Sequence, residues 1–364
     1  ASLSNDMDQL TLAITRKGKI VLHESPVGLV IDHNNLAHKA KIDSKELYSL
    51  DETYKWYGDQ DRRQNKCKGA KLKISSHGQI FELDLRAYDT GIAFKFCYIP
   101  VKESLFNGES TVLNLPSKLK AKYMRHSMGE ESRVYTANIT EIAKSAKHAR
   151  TLPPLLLYPK DMSSYTVILE GGGFNFHGFS LMPQKNLDHI LPLKVEYAEK
   201  LEGWKFNTKL ETSWKIISQV DTLNTLFNNP IVSNVCPSPD PRLFPNGIEE
   251  EWIKPGKSTW NWWAKISAKY EEQIKLVDLA AQIGADYHLV DIGWDQKWIE
   301  DGLTPYDHLK NLCDYAAKKD IGIWVWKSSD VSFNMEMPGG EKGMAKWKSL
   351  EDVAINKDLD KMRA

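Results

Sequence analysis

No stretch of this 364-residue chain approaches the roughly 20 consecutive apolar residues that a membrane-spanning helix needs, so no membrane span is expected. Net charge is missing as well. The 48 Lys and Arg residues balance 48 Asp and Glu residues, which removes the broad positive field that a nucleic-acid-binding protein relies on. There are only four cysteines, Cys67, Cys97, Cys236 and Cys313, and they form no C-x-x-C pair. Neither a zinc site nor a disulfide framework is indicated, and the four read as buried thiols. The histidines are scattered, H-E-x-x-H, G-x-S-x-G and G-x-G-x-x-G are absent, and no G-K-[ST] follows the glycine run Gly171 to Gly173. Zinc-hydrolase, serine-hydrolase, dinucleotide and phosphate-loop chemistry lose weight accordingly. The chain opens without a hydrophobic leader, but a mature chain would have lost one, so residues alone leave the compartment open.

What is present divides in two. From Leu10 to about Pro245, short alternating or apolar runs are separated by turn residues, as in "LTLAITRKGKIVLH" and "LLLYPKDMSSYTVILE". In "QIFELDLRAYDTGIAFKF" two period-two strands flank Asp89-Thr90-Gly91 and read as a hairpin. So long a succession of hairpins suits stacked sheets in a large sandwich. The segment "CPSPDPRLFPNG" then marks a linker, with a domain boundary near residue 248. Beyond it strands alternate with helices. "STWNWWA", "ADYHLVDIGW" and "IGIWVWKSS" read as strands. "YEEQIKLVDLAAQIG" reads as a helix with Ile274, Val277 and Ala281 on one face and a glycine stop. "TPYDHLKNLCDYAAKKD" is a second helix, capped by Thr304, with Leu309, Leu312, Cys313 and Ala316 inward, and "LEDVAINKDLDKMRA" begins a third. Three βα units imply a parallel sheet. Eight would close a barrel, so the chain reads as interrupted within its second domain.

Nine of the twelve tryptophans, among them Trp347, lie after residue 250. An indole offers a flat apolar face and an N–H donor, which suits a sugar ring, although core filling is an equally ordinary use. Those at strand ends are the candidates, because strand C-termini build the active site of parallel barrels: Trp260, Trp263, Trp294 and Trp326. Asp291 emerges where the second strand meets its loop, placed either to bind substrate hydroxyls or to serve as a cap or loop ion pair. Lys327 holds the comparable place on the third strand, as a substrate contact or a solvated lysine. In "VILEGGGFNFHG", Glu170 ends a strand before three glycines. It reads either as a solvated turn residue or as an oxygen ligand for a hard cation such as calcium.

The segment "WIKPGKSTWNWW", Trp252 to Trp263, resembles the W-I-K-P-G-K-x-x-W-D-W-W signature of glycoside hydrolase family 97. "SPVGL", "RAYDTGIAFKF" and "YHLVDIGW" resemble further family segments in the same order, so the resemblance covers nearly the whole chain. It implies an α+β multidomain fold: an all-β super-sandwich over residues 1–247, then the first part of a (β/α)8 barrel over residues 248–364. It implies calcium-dependent α-glucosidase or α-galactosidase activity on an oligosaccharide or other α-glycoside, and a periplasmic or secreted location. Glu170 corresponds to the family's calcium-ligand Glu. Trp260, Asn261, Trp263, Asp291, Trp294 and Lys327 form the expected substrate-binding set. Asn261 stands where the family motif has Asp, Ile292 where some members have Glu, and Leu169 and Phe176-His177 replace the family's Thr and Tyr-Pro around Glu170.

The family's catalytic carboxylates would lie beyond Ala364, so no nucleophile, acid or base is named. The other reading is a non-catalytic carbohydrate-binding or scaffold fragment. A barrel begun and not closed leaves exposed strand edges, which favours a missing remainder, including one supplied by a partner chain.

Overall fold

The computed structural model describes residues 1–5, 8–57, 61–125, 133–142, 150–174, 176–185, 188–197, 203–262, 264–299 and 301–326. The chain divides into two compact units, Ala1–Ile248 and Glu249–Ala364. The expected third helix, with Trp347, lies outside the described residues.

The first unit follows from period-two alternation. In the strand Thr11–Arg16, Leu12 and Ile14 turn inward, and in Arg62–Ser76 the inward set includes Cys67, Leu72 and Ile74 while Lys71 and Lys73 face water. Among the described residues these strands form a 13-stranded antiparallel sheet, a 4-stranded sheet and a 3-stranded sheet. The three share one core. Leu12 and Ile14 come from the smallest sheet, Leu29, Ile31 and Phe106 from the 4-stranded one, and Leu83, Phe94, Phe96, Leu157 and Leu193 from the largest. That is a sandwich packed face to face. At one end of the largest sheet the strand Lys41–Lys55 pairs, among the described residues, only with Arg62–Ser76, and none of its fifteen residues is buried.

The hairpin around Asp89 forms as the pattern predicts, joining Gln79–Tyr88 to Gly91–Tyr98 with Tyr88 opposite Gly91. Gly91, however, is a strand residue rather than a turn residue. A Cβ there would sit 2.7 Å from both Ile217 O and Ser218 Cα of the neighbouring strand Trp214–Val220. Both are backbone atoms that cannot rotate away. Gly91→Ala is therefore expected to destabilise the first unit by about 1–3 kcal/mol, read as a lower urea midpoint.

In the second unit the strands Ser258–Trp260, Tyr287–Val290 and Gly322–Val325 form a parallel sheet in sequential order. The helix Tyr270–Ile283 runs between the first two and Pro305–Ala317 between the last two. Gly284, at φ 66°, ends the first helix, and Thr304 begins the second through a capping box with Asp307. The inward faces are rotated from the expected ones. Gln273, Leu276, Val277 and Ala280 are buried in the first helix, while Ala281 is exposed. In the second, His308 is buried with Leu309, Leu312 and Ala316, and Cys313 is exposed. The cysteines also depart from expectation. All four are free, but only Cys67 is buried.

Candidate functional site

Two groups of side chains carry chemistry, one in each unit. In the first, the strand Tyr165–Gly171 lies between Thr151–Tyr158 and Trp214–Val220, with Glu170 opposite Lys215 and Gly171 opposite Trp214. Alternation sends Ile168, Glu170, Lys215 and Ile217 to the face that carries the main core. Leu169, Trp214 and Ile216 go to the other face, against the short helix Ile231–Val235.

Lys215 is fully buried. Its Nζ contacts Glu109 Oε1 directly and donates to Tyr197 Oη at 3.0 Å. Tyr197 Oη donates to the same carboxylate oxygen at 2.5 Å, and Thr111 Oγ1 donates to Glu109 Oε2 at 2.8 Å. The rings of Phe96, Phe179 and Tyr197 surround the ammonium at 5.6–5.8 Å. Burial, with Glu109 beside it, pushes the Tyr197 phenol well above its ordinary range. This closed ionic group was not legible in the sequence, because its members lie up to 106 residues apart and no local spacing links them.

Glu170 is held differently. Lys215 is committed to Glu109, and the Oε1 of Glu170 is buried without a hydrogen-bond partner. Burial raises its pKa, while the nearby Ser213 hydroxyl and the Lys215 charge oppose the rise. Glycines leave room around it: a Cβ at Gly178 would lie 3.2 Å from Glu170 Oε2, and one at Gly173 4.0 Å from Oε1. An orphaned carboxylate oxygen beside two small residues fits one ligand of a hard cation. Among the described residues, no group of three or more His, Cys, Asp or Glu gathers around it or elsewhere, so one carboxylate is the share of such a shell that can be assigned.

In the second unit, Trp260 and Asp291 meet at the C-terminal ends of the first two parallel strands, with Asn261 next in the chain to Trp260. The Trp260 indole Nε1 donates to Asp291 Oδ2 at 3.0 Å, and Ile292 N–H donates to Oδ1 at 2.7 Å. The cap of the following short helix is Gly293 rather than Asp291, and among the described residues Asp291 makes no ion pair. Trp260 is 37 % exposed, which leaves indole surface for a ligand, whereas Asp291 is 8 % exposed. Asn261 is 3 % exposed; its Nδ2 donates to Ile266 O and its Oδ1 is buried with no partner.

Trp294 departs from the expectation. It is 1 % exposed, packs on Trp298 and Tyr306, and donates its N–H to Trp326 O. The left-handed turn at Gly293 starts a short helix, Trp294–Lys297, that directs this indole into the core rather than toward a ligand. Trp263 and Lys327 lie outside the described residues.

A family model described as Glycosyl-hydrolase 97 N-terminal matches residues 1–237. A curated retaining α-galactosidase of Bacteroides thetaiotaomicron is 23% identical over 358 residues, covering 88% of this chain and 53% of that protein. A probable retaining α-galactosidase of Streptomyces bingchenggensis is 23% identical over 340 residues, covering 87% and 49%. Among solved structures, a β-arabinopyranosidase superposes with a TM-score of 0.77 at 17% identity, covering 99% of this chain and 57% of that one. A family 97 enzyme from Pseudoalteromonas sp. strain K8 in complex with acarbose gives 0.71 at 17% identity, covering 88% and 52%. At this identity the structural likeness is one of fold. The chain spans about half the length of the curated relatives it matches.

Proposed function

Because the chain belongs to glycosyl-hydrolase family 97, we propose that the intact protein hydrolyses α-linked glycosides, with galactosides the first candidates and glucosides the second. The observation that carries this reading is that the likeness continues past the sandwich. The alignment to the retaining α-galactosidase covers more of the chain than the first unit contains, so it takes in part of the unit that pairs Trp260 with Asp291. We read that unit as the opening of a (β/α)8 barrel, in which strand C-termini face the substrate. Its work at these residues is binding. The exposed face of Trp260 stacks on the C–H face of a sugar, and Asp291, oriented by the indole and by Ile292 N–H, accepts from a sugar hydroxyl. No nucleophile or acid is assigned among the described residues.

Calcium is the cation that Glu170 would help to hold, and when bound it would supply Lewis-acid polarisation of the substrate. The chain's own part is to hold that carboxylate near the end of its strand with one oxygen left unpaired. A periplasmic or secreted setting completes the proposal.

The intact protein is expected to release nitrophenol from a nitrophenyl α-galactoside or α-glucoside in preference to the β-anomers, and to lose this activity in excess EDTA. Binding without turnover would make it a carbohydrate-binding protein instead, and full activity in chelator would remove calcium from the account. Asp291→Asn is expected to lower kcat/KM roughly ten- to a hundredfold, the value of one hydrogen bond to a charged acceptor, with the fold intact by circular dichroism. Unchanged kinetics would strike Asp291 from the binding set.

A further inference from the structure

Beside Glu170 stands a second buried oxygen without a partner. Ser213 is fully buried in the strand-to-strand approach that leads into Trp214, and its Oγ makes no hydrogen bond. It lies close enough to Glu170 to favour the ionised carboxylate, but it is not aligned as a donor to Oε1. Gly173 passes both residues. A Cβ there would sit 3.6 Å from Ser213 Cβ and 4.0 Å from Glu170 Oε1. Two buried oxygens that stand side by side without forming a hydrogen bond each carry a desolvation cost, and a cation bound between them would offset it. The serine of the strand that follows does not share this state, since Ser218 Oγ donates to Thr90 O at 2.6 Å.

We propose that Ser213 contributes a second oxygen ligand to the cation held by Glu170. The proposal rests on the calcium reading above. A hydroxyl and a carboxylate together suit a hard divalent ion, while the ion pair of Lys215 is made with Glu109 rather than with Glu170. The sandwich thus presents a two-point grip in place of a single monodentate arm.

The test is direct binding of calcium chloride to the metal-stripped intact protein by isothermal titration calorimetry, with cadmium chloride as a soft-ion probe. Four proteins are compared: wild type, Glu170→Gln, Ser213→Ala and Ser213→Cys. Ser213→Ala is expected to weaken calcium binding about tenfold, the lower end of what loss of an outer or weak ligand costs. Ser213→Cys is expected to shift the ratio of cadmium to calcium affinity toward cadmium relative to wild type, because sulfur replaces oxygen in the shell. A purely structural serine would not move that ratio, and the ratio remains readable if Ser213→Ala folds poorly. If Glu170→Gln weakens calcium binding while Ser213→Cys leaves the ratio unchanged, Ser213 is not a ligand and the calcium reading stands. If Glu170→Gln itself binds calcium as wild type does, the calcium reading fails and this inference falls with it.

Discussion

Lys215→Met is expected to lower the unfolding free energy of the first unit by about 3–5 kcal/mol, because it leaves the Glu109 carboxylate buried without a cation. The cost comes from the partner left behind more than from the contact removed. Glu109 would keep its bonds from Thr111 and Tyr197, but those two neutral donors cannot replace an ammonium held among three aromatic rings. The double variant Glu109→Gln/Lys215→Met is expected to recover a substantial part of the loss, since a neutral amide can still meet both hydroxyls. Urea denaturation followed by far-UV circular dichroism, dominated by the strands of the first unit, reads all three proteins on one scale. Equal stability of wild type and Lys215→Met would show that the ammonium is dispensable to the fold.

Acidification is expected to weaken the second unit through His288. Burial depresses this imidazole to about 4, against an ordinary value of about 6.5 in the unfolded chain. Its hydrogen bonds define the neutral form. The Gln273 amide nitrogen donates to Ser267 O and Lys269 O, which turns Oε1 toward His288 Nε2 at 3.0 Å, so Nε2 carries the proton. Nδ1 then accepts from the Thr259 hydroxyl at 2.9 Å. A strand–strand–helix junction therefore depends on an uncharged ring. Between pH 6.5 and 4 the unfolded chain binds the extra proton and the folded one does not. The stabilisation is complete above pH 6.5 and is lost as pH falls toward 4, about 3 kcal/mol in all and about 2 kcal/mol by pH 5. Hydrogen exchange of the segment Tyr287–Val290, corrected for intrinsic rates, should show that loss of protection between pH 7 and pH 5. His288→Gln should flatten the profile, and an equally steep profile in that variant would assign the effect elsewhere.

What could be read in advance was local. The hairpin at Asp89-Thr90, the stop at Gly284 and the cap at Thr304 are each decided within a few residues by turn and capping chemistry, and each forms where the pattern places it. The inward faces of the two helices were less legible. Apolarity nominated Ala281 and Cys313, whereas the neighbouring elements select Ala280 and His308, and buried Gln273 is recruited by a histidine on another strand. Tryptophan shows the same limit. Trp260 and Trp294 look equivalent at their strand ends, but one backbone turn at Gly293 decides that the second fills the core. Glu170 was singled out as a strand-end carboxylate, and its reading as a cation ligand came from the family resemblance. Ser213, Glu109 and Tyr197 were not, because only the pairing of distant strands gives them meaning.

The long strand Lys41–Lys55 bears on how the molecule behaves in concentrated solution. Among the described residues its outer margin has no partner strand, and a margin of that length is a template on which another chain could crystallise its backbone. The side chains along it answer that hazard: Lys41, Asp43, Lys45, Glu46, Asp51, Glu52 and Lys55 are all exposed, and of its large apolar residues Leu47 alone stands out at 68 % exposure. An approaching copy in antiparallel register would have to strip water from these charges before gaining a ladder. The strand works as a fence, and its colloidal protection is of the kind that dissolved salt wears down.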